Sequence, residues 1–189
     1  MSCACGHDAG QHPDGSCICC LCPGWHDEVR MVETLMNGRW ELLLPSHRAY
    51  RREWTTPPYW EPERIDAMAA VIGPGDLVYD IGSEEADMGG LWASWGADVV
   101  LVEPNPKVWP NARAIFQAND LEHHVRGCWV GFAGDLSTER FSVSWWEDHC
   151  ARPDGDRWPK CAYGPVIGNH GFLVLPERPD CPSTTIDEM

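Results

Sequence analysis

Lysine is almost missing from this chain: only Lys107 and Lys160 occur in 189 residues, and the basic residues number 14 against 29 acids. The formal net charge of −15 excludes a large interface with a polyanion such as duplex DNA, because most of the surface would repel it. The one basic stretch, "HRAYRREW" (47–54), reads as a solvated loop or helix face rather than a patch for a partner. No apolar run approaches the roughly 20 residues of a membrane span. The opening "MSCACGHDAG" lacks both a positive region and a hydrophobic stretch, so no secretory signal is read and a cytoplasmic location is expected. Internal repeats and low-complexity tracts are missing too.

Cysteine is plentiful and unevenly placed. Cys3, Cys5, Cys17, Cys19, Cys20 and Cys22 crowd the first residues, with His7, His12 and His26 among them. Without a secretory signal, such a cluster points to metal rather than to disulfides. Zinc takes four tetrahedral thiolate or imidazole ligands, and short spacings let one knuckle present two of them. "CACGH" and "HPDGSCICCLC" supply two knuckles around a Pro13-Asp14-Gly15 turn. The expected set is Cys5, His12, Cys17 and one of Cys20 or Cys22, holding a structural Zn2+ that folds residues 1–26. The competing reading is a tail of exposed thiols. Cys128, Cys150, Cys161 and Cys181 are dispersed and without an evident histidine–acid partner, so they read as buried small hydrophobes or loop thiols rather than nucleophiles. The 11 tryptophans are scattered through apolar segments and read as packing residues, not as a stacking platform.

Residues 27–60 form a lead-in. "DEVRMVETLMN" (27–37) places Val29, Val32, Leu35 and Met36 on one helical face and predicts a helix ended by Gly38. "WELLL" (40–44) reads as a strand, and 45–60, with its paired prolines, as a connecting loop. From residue 61 to 189 one α/β domain is expected. A helix over 61–72 is opened by Pro62 and faced by Ile65, Met68, Ala69 and Ile72. Strands at 76–81, 98–103 and 125–132 then alternate with helices at 86–96 and 106–120. That spacing means βαβ units and a parallel, helix-covered sheet. Beyond Gly134 the alternation fades, and 140–146 and 171–175 read as antiparallel strands around a loop.

In an open parallel sheet, ligands sit at the carboxyl ends of the strands. Asp80 and Gly82 end the first parallel strand, in "LVYDIGSEEADMGG" (77–90). Glu103 ends the second, roughly twenty positions later, the offset at which an acid grips ribose hydroxyls. A dinucleotide would want glycines after Gly82, where Ser83, Glu84, Glu85 and Ala86 stand instead. Two carboxylates beside a pyrophosphate are unfavourable, whereas a cofactor carrying a sulfonium and an ammonium tolerates them. The acids argue against NAD and toward S-adenosylmethionine.

"GPGDLVYDIGSEEAD" followed by "GADVVLVEPNPKVWPNARAIFQAND" resembles the FkbM-type branch of class I S-adenosylmethionine-dependent methyltransferases, with its D-x-G and E-P-N strand ends. The resemblance covers about residues 58–135. It implies a Rossmann-like parallel sheet of the class I methyltransferase type. It also implies methyl transfer to an oxygen or nitrogen of a small-molecule or saccharide acceptor. By the same resemblance Asp80, Gly82 and Ser83 would line the methionine end and Glu103 would bind the ribose. Pro104 and Asn105 would border the adenosine, and Trp129 and Val130, with the residues up to Phe132, would lie near the adenine. Glu61 stands where the family often carries an acid before its first helix. The sequence departs from the pattern at Glu84-Glu85 and at Ala86, which replaces a glycine and stiffens the turn.

"TTIDEM" (184–189) is similar to the family's T-L-D-E-L segment, after which the family's next strand carries a D-x-E-G motif. On that alignment the sheet is incomplete. A second polypeptide completes it, the 140–175 segment covers the edge, or the chain is a remnant with little activity. No catalytic base is assigned; nothing in the spacing selects His149 or His170. The alternative to a methyltransferase is a zinc-dependent interaction module, with the α/β part a non-catalytic or split half.

Overall fold

The computed structural model of the chain describes residues 30–49, 52–133, 156–163 and 183–184. Its first element overturns the helix expected over 27–37. Met31–Met36 is a strand, β1, paired antiparallel with β2 (Trp40–Pro45), Met31 opposite Pro45 and Met36 opposite Trp40. The reason is the Asn37-Gly38 pair. Both residues have positive φ, 50° and 67°, and Arg39 N–H donates to Met36 C=O at 3.0 Å. That is the signature of a type I′ turn, whose twist matches that of a hairpin. The hairpin buries alternate side chains, Thr34 and Met36, and turns Glu33 and Leu35 outward.

The loop expected over 45–60 contains two single-turn helices, α1 (Ser46–Ala49) and α2 (Arg52–Thr55). From there the expected alternation holds: α3 (Pro62–Ala69), β3 (Leu77–Ile81), α4 (Asp87–Ser94), β4 (Asp98–Val102), α5 (Trp109–Ala118) and β5 (Val125–Trp129). β3, β4 and β5 form a three-stranded parallel sheet with β4 in the middle; Asp80 stands opposite Leu101, and Leu101 opposite Cys128. The chain is therefore of mixed α/β class around a parallel sheet. Val99 to Val102 are all buried, as the central strand of a covered sheet requires. Cys128 is buried, in keeping with its reading as a small hydrophobe.

Helices α4 and α5 lie between this sheet and the hairpin. Trp92, Ala93, Trp109 and Phe116 pack with Val99, Leu101 and Val125 in one core cluster. Leu91 and Ile115 join Met36, Leu42 and Leu44 in a second. Asn119, at the C-cap of α5, ties the hairpin down. Its side-chain oxygen accepts from Leu43 N–H at 2.8 Å, and its amide donates to Leu43 C=O at 2.9 Å. One side-chain amide thus serves both backbone groups as a neighbouring strand would.

Trp158 closes the far side of α5, edge-on to Phe116 at 5.6 Å, its indole donating to Glu122 Oε1 at 3.0 Å. The two-residue strands β6 (Phe132–Ala133) and β7 (Ser183–Thr184) run parallel, bringing 183–184 beside the segment after β5. The antiparallel strands expected at 140–146 and 171–175 lie outside the described residues, as does the 1–26 segment. No helix among the described residues is long and apolar enough to cross a membrane.

Candidate functional site

The turn after β3 is built on backbone bonds to the next strand. Gly82 and Ser83 N–H both donate to Val102 C=O, at 2.8 and 3.0 Å, and Glu103 N–H donates to Trp129 C=O at 3.0 Å. Gly82 takes φ 75°, and no atom lies within 4 Å of where a Cβ would stand, so its backbone faces open space. Ala86, at the N-cap of α4, is held left-handed at φ 63° although it is not glycine. Such a conformation costs about 1–2 kcal/mol in an L-residue, so other contacts must hold it.

Ala86 itself is held by backbone bonds to Ser83 and Gly90, and α1 grips the acids on either side of it. His47 Nε2 meets Glu85 Oε2 at 2.6 Å, and Glu85 is fully buried. Arg48 Nε donates to Asp87 Oδ2 at 2.8 Å, and its Nη1 lies 3.2 Å from Glu84 Oε2. Arg48 and Asp87 are both buried. Burial by itself would lower the Arg48 pKa, but Asp87, Glu85 and Glu84 together outweigh it and raise the pKa. The start of "HRAYRREW" is therefore no solvated face. His47 and Arg48 answer the acids that set this turn apart, Glu84, Glu85 and Asp87.

Asp80 is 6% exposed and its Oδ2 has no hydrogen-bond partner. Burial pushes its pKa up to about 7, helped by the Asp87 and Glu103 charges and opposed by the Gly89 amide and Arg64. Glu103 is also buried. Its Oε1 accepts from Asn105 N–H at 2.7 Å and its Oε2 from Glu84 N–H at 3.0 Å. Burial raises its pKa and these two bonds only partly offset that.

A cavity of about 530 Å³ opens at the carboxyl end of β3. Asp80, Gly82 and Ser83 line it from the strand end, Asp87 from α4, and Trp60 and Arg64 from the α3 side. Ser83 Oγ, Asp87 Oδ1 and Asp80 Oδ2 are buried without hydrogen-bond partners, and the three residues that carry them belong to this wall. Arg64 lies over the Trp60 ring at 4.8 Å and pairs with Glu61 at 2.7 Å.

The structure thus gathers Asp80, Gly82 and Ser83 at one cavity, and reaches Glu61 only through Arg64. Glu103, Pro104, Asn105, Trp129 and Val130 do not line it. Glu103 and Asn105 stand behind the turn, joined by their own hydrogen bond, and Val130 is packed in the core. Glu85, read from the sequence as an acid that a positively charged cofactor tolerates, turns onto His47. Sequence reasoning missed Arg48, Asp87, Trp54 and Trp60 as site residues. The arginine in an acid-rich chain was the available signal, but its partners lie far along the chain. The expected zinc ligands Cys5, His12, Cys17, Cys20 and Cys22 fall outside the described residues. Among the described residues, no three His, Cys, Asp or Glu side chains are grouped to hold a metal ion.

Compared with protein-family models, with curated proteins and with solved structures, the chain finds no match.

Proposed function

We propose that the chain is an S-adenosylmethionine-dependent methyltransferase of the FkbM-like class I type, its parallel sheet Rossmann-like, acting on an oxygen or nitrogen of a small-molecule or saccharide acceptor. The observation that carries this reading is Asp80: a buried carboxylate with an unanswered oxygen, on a cavity at the carboxyl end of a parallel strand.

The residues present fit the methionine end of that cofactor. Asp80 Oδ2 and Ser83 Oγ are acceptors without donors, and an ammonium group supplies donors. Gly82 leaves backbone open to close approach. Arg48 and Arg64 line the same cavity as Asp80, Glu84 and Asp87; with Arg48 paired to Glu84 and Asp87, Asp80 is the carboxylate left to meet a cation. Glu103 does not line the cavity; each of its oxygens takes one amide, that of Glu84 or that of Asn105. Its first task is to hold the turn that presents Asp80. Bound S-adenosylmethionine would supply an electrophilic methyl group, transferred to the acceptor oxygen or nitrogen by in-line attack as the C–S bond breaks and the neutral thioether leaves, so alignment provides most of the rate. The protein's part is to orient both partners and exclude water. Trp60 and Met88 provide apolar wall for that purpose.

Thermal unfolding with added ligand tests the reading. S-adenosylmethionine is expected to raise the Tm with saturation, and NAD is expected to leave it unchanged. A folded protein indifferent to S-adenosylmethionine, or stabilised equally by NAD, contradicts it.

A further inference from the structure

We infer that α1 is a positioning element for the cofactor turn, with Arg48 its principal residue and His47 its second. The inference rests on the methyltransferase reading and adds two residues that the resemblance does not supply.

Arg48 sits in a four-residue helix at the end of the hairpin, yet its guanidinium reaches Asp87 at the start of α4 and Glu84 in the turn. His47, beside it, holds Glu85. Three acids of the 84–87 segment, Glu84, Glu85 and Asp87, are thus met from one side by two adjacent basic residues, Glu85 and Asp87 through hydrogen bonds and Glu84 through an ion pair. On the other side the same segment is fixed by Glu103, whose Oε2 takes the Glu84 amide. Glu84 is the shared member: its carboxylate faces Arg48 and its N–H faces Glu103. A glycine-rich turn would need no such bracing. This one carries Ala86 in a left-handed conformation and buries Glu85 completely, and both features require it.

The arrangement also sets the charge around the cofactor's ammonium site. Asp80 faces Asp87 from α4, Glu103 from the end of β4 and Arg64 from α3. Arg48 faces Asp87, Glu85 and Glu84. With Arg48 present, Asp87 and Glu84 are neutralised, and Asp80 remains to receive a cation. Without it, two more carboxylates stand unanswered near Asp80, which makes Asp80 harder to ionise. Loss of Arg48 therefore changes the pH at which the site binds, an effect that simple loosening of the fold does not produce.

The experiment titrates S-adenosylmethionine into wild type, Arg48→Met, Arg48→Lys and Glu84→Gln across neutral pH, with circular dichroism to establish folding. Arg48→Met is expected to weaken binding about tenfold or more and to move the binding midpoint to higher pH. Arg48→Lys, which restores the charge without the fork, is expected to recover the wild-type midpoint and part of the affinity. Glu84 is 40% exposed and its loss is compatible with folding; Glu84→Gln is expected to weaken binding several-fold. A folded Arg48→Met with wild-type affinity and midpoint overturns the inference. If Arg48→Met fails to fold, wild-type affinity in Glu84→Gln overturns it. If wild type itself does not bind S-adenosylmethionine, the methyltransferase reading falls and this one with it. Binding by wild type with indifferent variants sinks this one alone.

Discussion

Asp80 and Gly89 fit together with no space for a methyl group between them. A Cβ at Gly89 would stand 2.9 Å from Asp80 Oδ2 and 2.7 Å from Leu101 Cδ2. α4 therefore crosses the sheet close enough for its backbone to meet the buried carboxylate, and the Gly89 amide is one of the groups that hold the Asp80 pKa down. Gly89→Ala is expected to destabilise the protein by about 1–3 kcal/mol through overpacking, measured by denaturant unfolding. It is also expected to weaken ligand binding at the cavity, because the helix moves away from Asp80.

The elevated Asp80 pKa has a signed consequence. Between the ordinary carboxylate range and about 7, the unfolded chain has released this proton while the folded chain keeps it. Stability from this group therefore falls as pH rises through that window, by about 1.4 kcal/mol per unit at most, and levels off above it. Asp80→Asn removes the effect. It is expected to be more stable than wild type at and above neutral pH, by on the order of a few kcal/mol, and to lose the advantage toward acid. Parallel urea titrations of the two proteins isolate the term. Glu103, which is raised too, and Asp98, which Arg126 first of all holds low, contribute alike to both proteins.

Asn119 makes a different kind of claim, about the scaffold. It answers both backbone groups of Leu43, and Asn119→Ala leaves a half-buried N–H and C=O without partners. The expected loss is about 1–3 kcal/mol, read from the shift in unfolding midpoint. Asn119→Asp keeps the acceptor for Leu43 N–H but loses the donor to Leu43 C=O, and is expected to fall between.

Much of the parallel sheet was legible from residue patterns. "LVYDI" and "DVVLV" are short β-rich runs, and Pro62 marks a helix start that the structure confirms. The hairpin was not read because Val32, Leu35 and Met36 satisfy a helical period as well as half of an alternating one. The Asn37-Gly38 pair was the decisive signal, and it carries a test. Gly38→Ala must adopt φ near 67° and crowd Tyr59, so it is expected to destabilise the hairpin by about 1 kcal/mol or more in the same unfolding assay. Helices of four residues, such as α1, leave no period to find. Glu84-Glu85 was visible as a departure, but its cause was not. Arg48 and His47 meet their acids across nearly forty positions, and only the fold brings such charges together.

Titration of S-adenosylmethionine into wild type and Asp80→Asn, followed by calorimetry at slightly alkaline pH, measures the central claim most directly. Saturable one-to-one binding by wild type, weakened about tenfold or more in a folded Asp80→Asn, is the expected result. No binding by folded wild type, or equal binding by both proteins, contradicts the account.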